Sequence, residues 1–324
     1  MIIISICCFI FMMFKYIYFI LTVCIHESKH IINPEVNSDS IRLFCTGENL
    51  TYFNHTPFSY IIKESDLCFG DVYLLTYVQS SSIHFKRRMM IRETWGSLRY
   101  VSNDPVKLAF VIGYSENFKI QKKIEKESKD FGDIIQGDFI DSYKNLTLKH
   151  IVALHWIVNY CSHAQFVSKT DDDTFISIFN LVSYLKEHLN PADKLILGKI
   201  SYNETPIREP GFKWTINSEM YPNDKYPPFL KGFAYVISNA AIKPLFICSY
   251  YEKFLFIDDV FITGLVSRLA GIELQSFDKV FGHFWISNEP IPIESMDNLF
   301  FVSQTEYYPD QWRILWRTIL EIEF

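Results

Sequence analysis

The sequence has no C-x-x-C pair, so none of its seven cysteines has the spacing of a zinc site. It also has no basic stripe interleaved with aromatics. With a net charge of −6, that argues against nucleic acid as a partner. Internal repeats and low-complexity segments are absent, which excludes solenoid and array architectures. Charge is scarce at the start: between residues 2 and 25 only Lys15 interrupts an apolar block, and no comparable run follows.

What is present is apolar and aromatic. Hydrophobic residues make up 49% and aromatics 17% of 324 residues, enough for one large domain with a substantial core. At 1.5 Å per residue the block 2–25 reaches about 36 Å, more than the roughly 30 Å of a bilayer core. A signal-anchor transmembrane helix is expected there. A cleaved signal peptide is the alternative, although a basic n-region and a small-x-small cleavage site are missing. Cys45, Cys68, Cys161 and Cys248 lie beyond the block, and outside the cytosol they have three possible disulfide pairings. Sequons at Asn49, Asn54, Asn145 and Asn203 are candidate N-glycosylation sites, though chance gives about two. Residues 26–68 lack a sustained period and are expected to form a stem, or else an irregular decoration on the domain.

From residue 69 strand-like and helix-like segments alternate. Strands are expected at 72–78, 108–113, 133–135, 165–169, 195–200 and 232–238. Between and after them, helices are expected at 86–95, 116–129, 144–160, 178–189, 240–248 and 260–269. The helix over 144–160 reads as amphipathic. This order predicts an α/β domain over 69–324, its mixed, largely parallel sheet carrying helices on both faces.

Two apolar runs end in acids. Gln165–Lys169 leads to Asp171, Asp172 and Asp173, and Phe256-Ile257 leads to Asp258 and Asp259. Adjacent carboxylates repel, and a divalent cation is a natural partner for them. The end of a strand in an open α/β sheet is also where such folds bind ligands. A solvated acidic turn is the plainer reading of the first cluster, and helix capping that of the second.

Five blocks in order give the chain a resemblance to the β-1,3-glycosyltransferase family, which includes β-1,3-galactosyl- and β-1,3-N-acetylglucosaminyltransferases. Arg88 to Gly96 matches R-x-x-I-R-x-[TS]-W-G, and Asp138 to Lys149 matches D-F-x-D-x-Y-x-N-L-T-L-K. Lys169 to Phe175 matches K-x-D-D-D-x-F. Lys213-Trp214, Tyr221-Pro222, Tyr226-Pro227 and Lys231-Gly232 match the K-W, Y-P and glycine region, and Asp258-Asp259-Val260 matches [ED]-D-V.

The resemblance implies a GT-A fold on a single-pass type II Golgi membrane anchor, with the catalytic domain lumenal. It implies inverting, Mn²⁺-dependent transfer of a hexose from UDP-galactose or UDP-N-acetylglucosamine to a glycan acceptor on a glycoprotein or glycolipid, making a β-1,3 linkage. Carried over residue by residue, Asp173 and Asp171 would hold the metal. Arg88, Arg92, Lys169, Asp171 and Asp172 would face the nucleotide sugar. Asp259 would be the general base, with Asp258 raising its basicity. Trp214, Tyr221 and Gly232 would lie on the acceptor side.

Two departures stand out. Asp258 replaces the Glu usual in the galactosyl branch, a one-methylene difference that does not decide the donor. Where the family has Val-His, with the His completing the metal site, the chain has Val302-Ser303. His283 is the remaining candidate imidazole. A catalytically weak or inactive carbohydrate- or nucleotide-binding relative is therefore the alternative. An aspartyl phosphatase, suggested by Asp171-x-Asp173, would need Thr or Val where Phe175 stands.

Overall fold

In the computed structural model the described residues are 44–46, 50–53, 59–277, 301–303 and 309–323. The expected anchor at 2–25, His283, and the sequons at Asn49 and Asn54 lie outside them. Among the described residues no helix is long and apolar enough to cross a membrane.

The strands are β1 (Tyr60–Ile62), β2 (Leu74–Gln79), β3 (Tyr100–Val101), β4 (Asp104–Tyr114), β5 (Ile134–Ile140), β6 (Phe166–Asp171), β7 (Thr174–Ile176), β8 (Leu195–Ser201), β9 (Phe229–Ser238), β10 (Glu273–Ser276) and β11 (Phe301–Ser303). The main sheet runs β1-β5-β4-β2-β6-β9-β8-β10, with β3 attached to β4. Strands β5, β4, β2 and β6 are mutually parallel, while β9 is antiparallel to both neighbours, so the sheet is mixed as expected. A small ladder, β7 with β11, lies beside it.

Strand alternation divides the core into two layers. Leu74, Val78, Phe110, Ile134, Phe166 and Val236 face one way, toward α1 (Phe85–Glu93), α2 (Phe118–Phe131) and α4 (Ile178–His188). On the other face Tyr77 and Tyr235 meet α3 (Leu146–Tyr160), which also packs on α5 (Asn239–Ser249). Helices therefore cover both faces. Covered on two sides, α3 is buried nearly all round and is not the amphipathic helix expected.

Helix ends follow local chemistry. The Asn117 side chain caps α2 by accepting from the Lys119 and Ile120 amides. Gly132, at φ +65°, closes it in the left-handed conformation that only glycine adopts freely. The expected helix 260–269 opens as a π segment, Val260–Val266, and tightens to α over Ser267–Leu269.

The expected stem boundary at 68 is corrected: residues Phe44–Phe324 cluster as one compact unit. Cys45 is bonded to Cys248, and Cys68 to Cys161. Strand β1 pairs with β5, and the Tyr52 ring stacks on Tyr250 at 5.7 Å. These contacts explain the weak period there: the described residues 44–46, 50–53 and 59–68 pack irregularly on the domain.

Candidate active site

Strands β2 and β6 end side by side, with Gln79 in register with Asp171, and β9 enters at that end through Gly232. The three acids of the turn after β6 then part company. The side chains of Asp171 and Asp173 keep 40% and 32% of their surface open, whereas Asp172 keeps 7%.

Asp172 is a structural tie. Its carboxylate accepts from Ser80 Oγ at 2.7 Å and the Ser81 amide at 3.3 Å. It also pairs with His84 Nδ1 at 2.7 Å and Arg87 Nη1 at 2.8 Å. Burial opposes its charge, but His84, Arg87 and Ser80 outweigh that and hold its pKa at about 2. This corrects the expectation that Asp172 faces the nucleotide sugar, because its oxygens are already committed to the loop after β2.

Lys169 is buried beneath the turn, so its expected direct part in nucleotide-sugar binding is corrected as well. Its ammonium donates to Asp171 Oδ1 at 2.7 Å and to the Gly232 carbonyl, and lies 3.9 Å from Asp258 Oδ2. One cation therefore joins the two acidic motifs. Partial burial pushes Asp171 up to about 7; Lys169 pulls it down, while Asp173 and Asp258 push it further. Asp173 is raised by burial and by Asp172, against the pull of Arg87, whose Nη1 stands at 3.3 Å.

Asp258 and Asp259 open the π segment. The Val260 amide donates to Asp259 Oδ1 at 2.8 Å, so this residue is a cap as well as a candidate base. Burial and then the like charge of Asp258 raise its pKa to about 6. Gly232 leaves room beside it: an added Cβ would stand 3.2 Å from both Asp259 Cβ and Oδ2, tighter than ordinary contact, so Asp259 would have to shift. Burial opposes the charge of Asp258, yet Lys169 and His150 hold it below the usual carboxylate range.

Arg88 and Arg92 do not join this cluster. Arg88 is fully buried; its Nε and Nη2 grip Glu127 at 2.9 and 2.7 Å, and Nη1 donates to the Ser81 carbonyl at 2.6 Å. Arg92 pairs with Asp133 at 2.7 Å through both Nε and Nη2, and with Glu127 through Nη1. Their expected role toward the diphosphate is corrected: these guanidiniums bind α1 to α2 and β5. Tyr221 is likewise buried, its hydroxyl donating to the Lys225 carbonyl, so it offers no open face to an acceptor.

Trp214 remains 43% exposed, with Lys213 Nζ 4.3 Å from its ring centroid and 5.5 Å from that of Tyr143. Burial raises the Tyr143 phenol, and Asp258, Asp259 and Asp171 raise it further, which sets this ring among the acids. Tyr143 was not singled out from sequence, although its block was. In that block Asp141 accepts from the Ser82 amide at 2.5 Å and from Lys149 Nζ at 2.8 Å, and Lys149 also reaches the Ser80 carbonyl. Asp141 and Lys149 thus clamp the loop after β2. Asn145 is exposed, its Nδ2 donating to the Ile140 carbonyl, and Asn203 lies in an exposed turn at φ +59°.

Asp171 and Asp173 are two hard oxygen donors, and the charge of Asp173 opposes that of Asp171, which suits a divalent cation. Among the described residues no set of three His, Cys, Asp or Glu is grouped to hold one. Ser303 pairs through its backbone with Thr174, next to Asp173. Phe175, in register with Val302, is buried against Trp312 at 5.7 Å between ring centroids.

A family model described as Galactosyltransferase matches residues 86–278. "Beta-1,3-galactosyltransferase 5" of Pan paniscus is 37% identical over 203 residues, 63% of this chain and 67% of that protein. "Beta-1,3-galactosyltransferase 1" of Mus musculus is 34% identical over 221 residues, 68% of this chain and 67% of that one. A solved galactosyltransferase, LgtC in complex with donor and acceptor sugar analogues, is similar over 76% of this chain and 95% of its own. Its identity is 9% and its TM-score 0.38, too slight a likeness to bear on the site. The acidic cluster, the order of the five blocks and these relatives agree: the chain belongs to the β-1,3-glycosyltransferase family and is a hexosyltransferase.

Proposed function

We propose that the protein transfers galactose or N-acetylglucosamine from a UDP-sugar to an acceptor glycan hydroxyl, with inversion, to make a β-1,3 linkage. The observation that carries this reading is the convergence of Asp171, Asp258 and Asp259 around buried Lys169 at one end of a parallel sheet. The mixed sheet with helices on both faces is compatible with a GT-A fold.

Asp259 is the base. With Oδ1 on the Val260 amide, Oδ2 takes the proton of the acceptor hydroxyl. The acceptor oxygen bonds to the anomeric carbon from the face opposite the nucleotide, and the bond to UDP breaks with its electron pair leaving on the diphosphate. A carboxyl held at about 6 is ionised at neutral pH yet more basic than an ordinary Asp. Trp214 and Tyr143 present aromatic faces to a sugar ring. Asp171 and Asp173 are the residues that would hold Mn²⁺, which when bound supplies positive charge against the leaving diphosphate.

A Golgi location with a type II anchor fits the apolar block 2–25 and the two disulfides, which require an oxidising compartment. Ser303, in register with Thr174 and standing where the family has His, supports a second reading, in which metal affinity is low and binding of the nucleotide sugar outlasts turnover.

The test is to present the full chain with a panel of UDP-sugars, with Mn²⁺ or with EDTA, measuring binding and UDP release together. Mn²⁺-dependent binding of one UDP-hexose, lost in Asp173→Ala, is expected. Metal-independent binding, equal in wild type and Asp173→Ala, would refute the metal assignment. Binding without UDP release would favour the second reading.

A further inference from the structure

Behind the two acids of the π segment lies a buried polar group that the transfer step does not itself use. His150, on α3, has no exposed surface. Its Nε2 faces the Tyr77 hydroxyl at 2.7 Å and the Tyr235 hydroxyl at 3.1 Å, and its Nδ1 lies 3.3 Å from that Tyr235 hydroxyl and 3.6 Å from Asp258 Oδ2. Tyr77 and Tyr235 are both within 1% of full burial, and each stands in register with Lys169, so β2, β6 and β9 all send a side chain to this point.

Asp258 Oδ2 is buried and has no hydrogen bond within normal range. A buried carboxylate oxygen left alone is costly, and two charged or donor side chains among the described residues stand near it: His150 Nδ1 at 3.6 Å and Lys169 Nζ at 3.9 Å. Lys169 is already shared between Asp171 and the Gly232 carbonyl. Burial keeps the imidazole neutral at pH 7. In the tautomer whose Nε2 accepts from the Tyr77 hydroxyl, the single ring proton is on Nδ1, on the side of both the Tyr235 hydroxyl and Asp258.

We infer that His150 is a positioning residue: fixed by Tyr77 and Tyr235, it orients the Asp258 carboxylate with a neutral donor and so leaves a full negative charge beside the base Asp259. A neutral N–H orients without cancelling charge, whereas closer approach by Lys169 would cancel it. The inference rests on the reading of Asp259 as base. The titratable groups around Asp258 are His150 from α3, Lys169 and Asp171 from β6, Tyr77 from β2, Tyr235 from β9, Tyr143 from the turn before α3, and Asp259.

The experiment compares full-length wild type, His150→Phe, His150→Asn and Asp259→Asn in UDP-sugar binding, kcat, KM and the pH profile of kcat. His150→Phe removes the donor. Asp258 then protonates or turns to Lys169, and in either case Asp259 becomes a weaker base. Expected is a loss in kcat of about 10- to 100-fold, part of the roughly 10²–10⁴ that a positioned base supplies. UDP-sugar binding and KM should hold, and the acid limb of kcat should move to lower pH. His150→Asn, whose amide stands near the place of Nδ1, should recover most of the rate. Wild-type kcat and pH profile in folded His150→Phe, beside an inactive Asp259→Asn, would overturn this inference alone. Full transfer by Asp259→Asn would overturn the base and with it the role of His150. Should His150→Phe not fold, Tyr77→Phe is expected to shift kcat and its acid limb in the same direction by a smaller factor; no shift would overturn the proposal.

Discussion

Two charged clusters sit on the same sheet and behave in opposite ways. Between α1, α2 and β5, Arg88 and Arg92 meet Glu127 and Asp133, and each carboxylate accepts from guanidinium nitrogens at 2.7 to 2.9 Å. At the ends of β2 and β6, Asp171 and Asp258 share one buried lysine, Asp173 has Arg87 at 3.3 Å, Asp259 stands beside Asp258, and Asp258 Oδ2 has no hydrogen bond. The first cluster is saturated and holds elements together. The second keeps unsatisfied charge in place, at a cost in stability, and unsatisfied buried charge is what a ligand or a reaction can use.

The sharpest way to break this contrast is Glu127→Ala. It strips the buried Arg88 guanidinium of its carboxylate, while Arg92 keeps Asp133, and should cost roughly 3–5 kcal/mol, a large part of the total stability of a domain. Chemical denaturation would detect it, and a loss under 1 kcal/mol would show that the pairing is not structural. Asp172→Asn comes next. A carboxyl held at about 2 stabilises the fold by roughly 2 kcal/mol once pH exceeds the unfolded value near 3.9. The sign follows from a depressed pKa: the mutant should lie below wild type at pH 7, and the gap should close as pH falls from about 4 toward about 2.

Asp259 supplies a test of the unsaturated side. Because it must be ionised to accept a proton, kcat should fall about tenfold per unit below pH about 6. A flat profile down to pH 4.5 would place the base elsewhere. The smallest effect is expected at Lys122 and Glu125, an exposed pair 3.0 Å apart with 57% and 39% of each side chain open. Lys122→Ala should change stability by no more than about 0.5 kcal/mol. A larger loss would mean that pairing, regardless of burial, dominates.

Much of the architecture was legible because it is local. Apolar runs marked β2, β4, β6, β8 and β9 to within a few residues, and the helix expected at 116–129 is α2, Phe118–Phe131. The strand expected at 133–135 extends to Ile140 because β1 pairs with it at Gln136 and Gly137 and Tyr114 of β4 pairs with Ile140, contacts between distant segments that no local period records. The acids themselves were legible, but their division of labour was not. Which of three successive aspartates turns inward depends on Ser80, His84 and Arg87, brought in from 85 to 92 positions away. Arg88 and Arg92 looked like phosphate ligands because their carboxylate partners are distant in sequence. His150 gave only a faint sign, an imidazole inside a helix otherwise nearly all apolar on its buried side.

The most direct measurement takes full-length Asp259→Asn beside wild type and follows UDP-hexose binding and hexose transfer in the same Mn²⁺-containing sample. Binding within a fewfold of wild type, with transfer reduced by about 10²–10⁴, is predicted for a base that contacts the reacting hydroxyl and not the nucleotide. Loss of binding and transfer together, or transfer that persists, would contradict it.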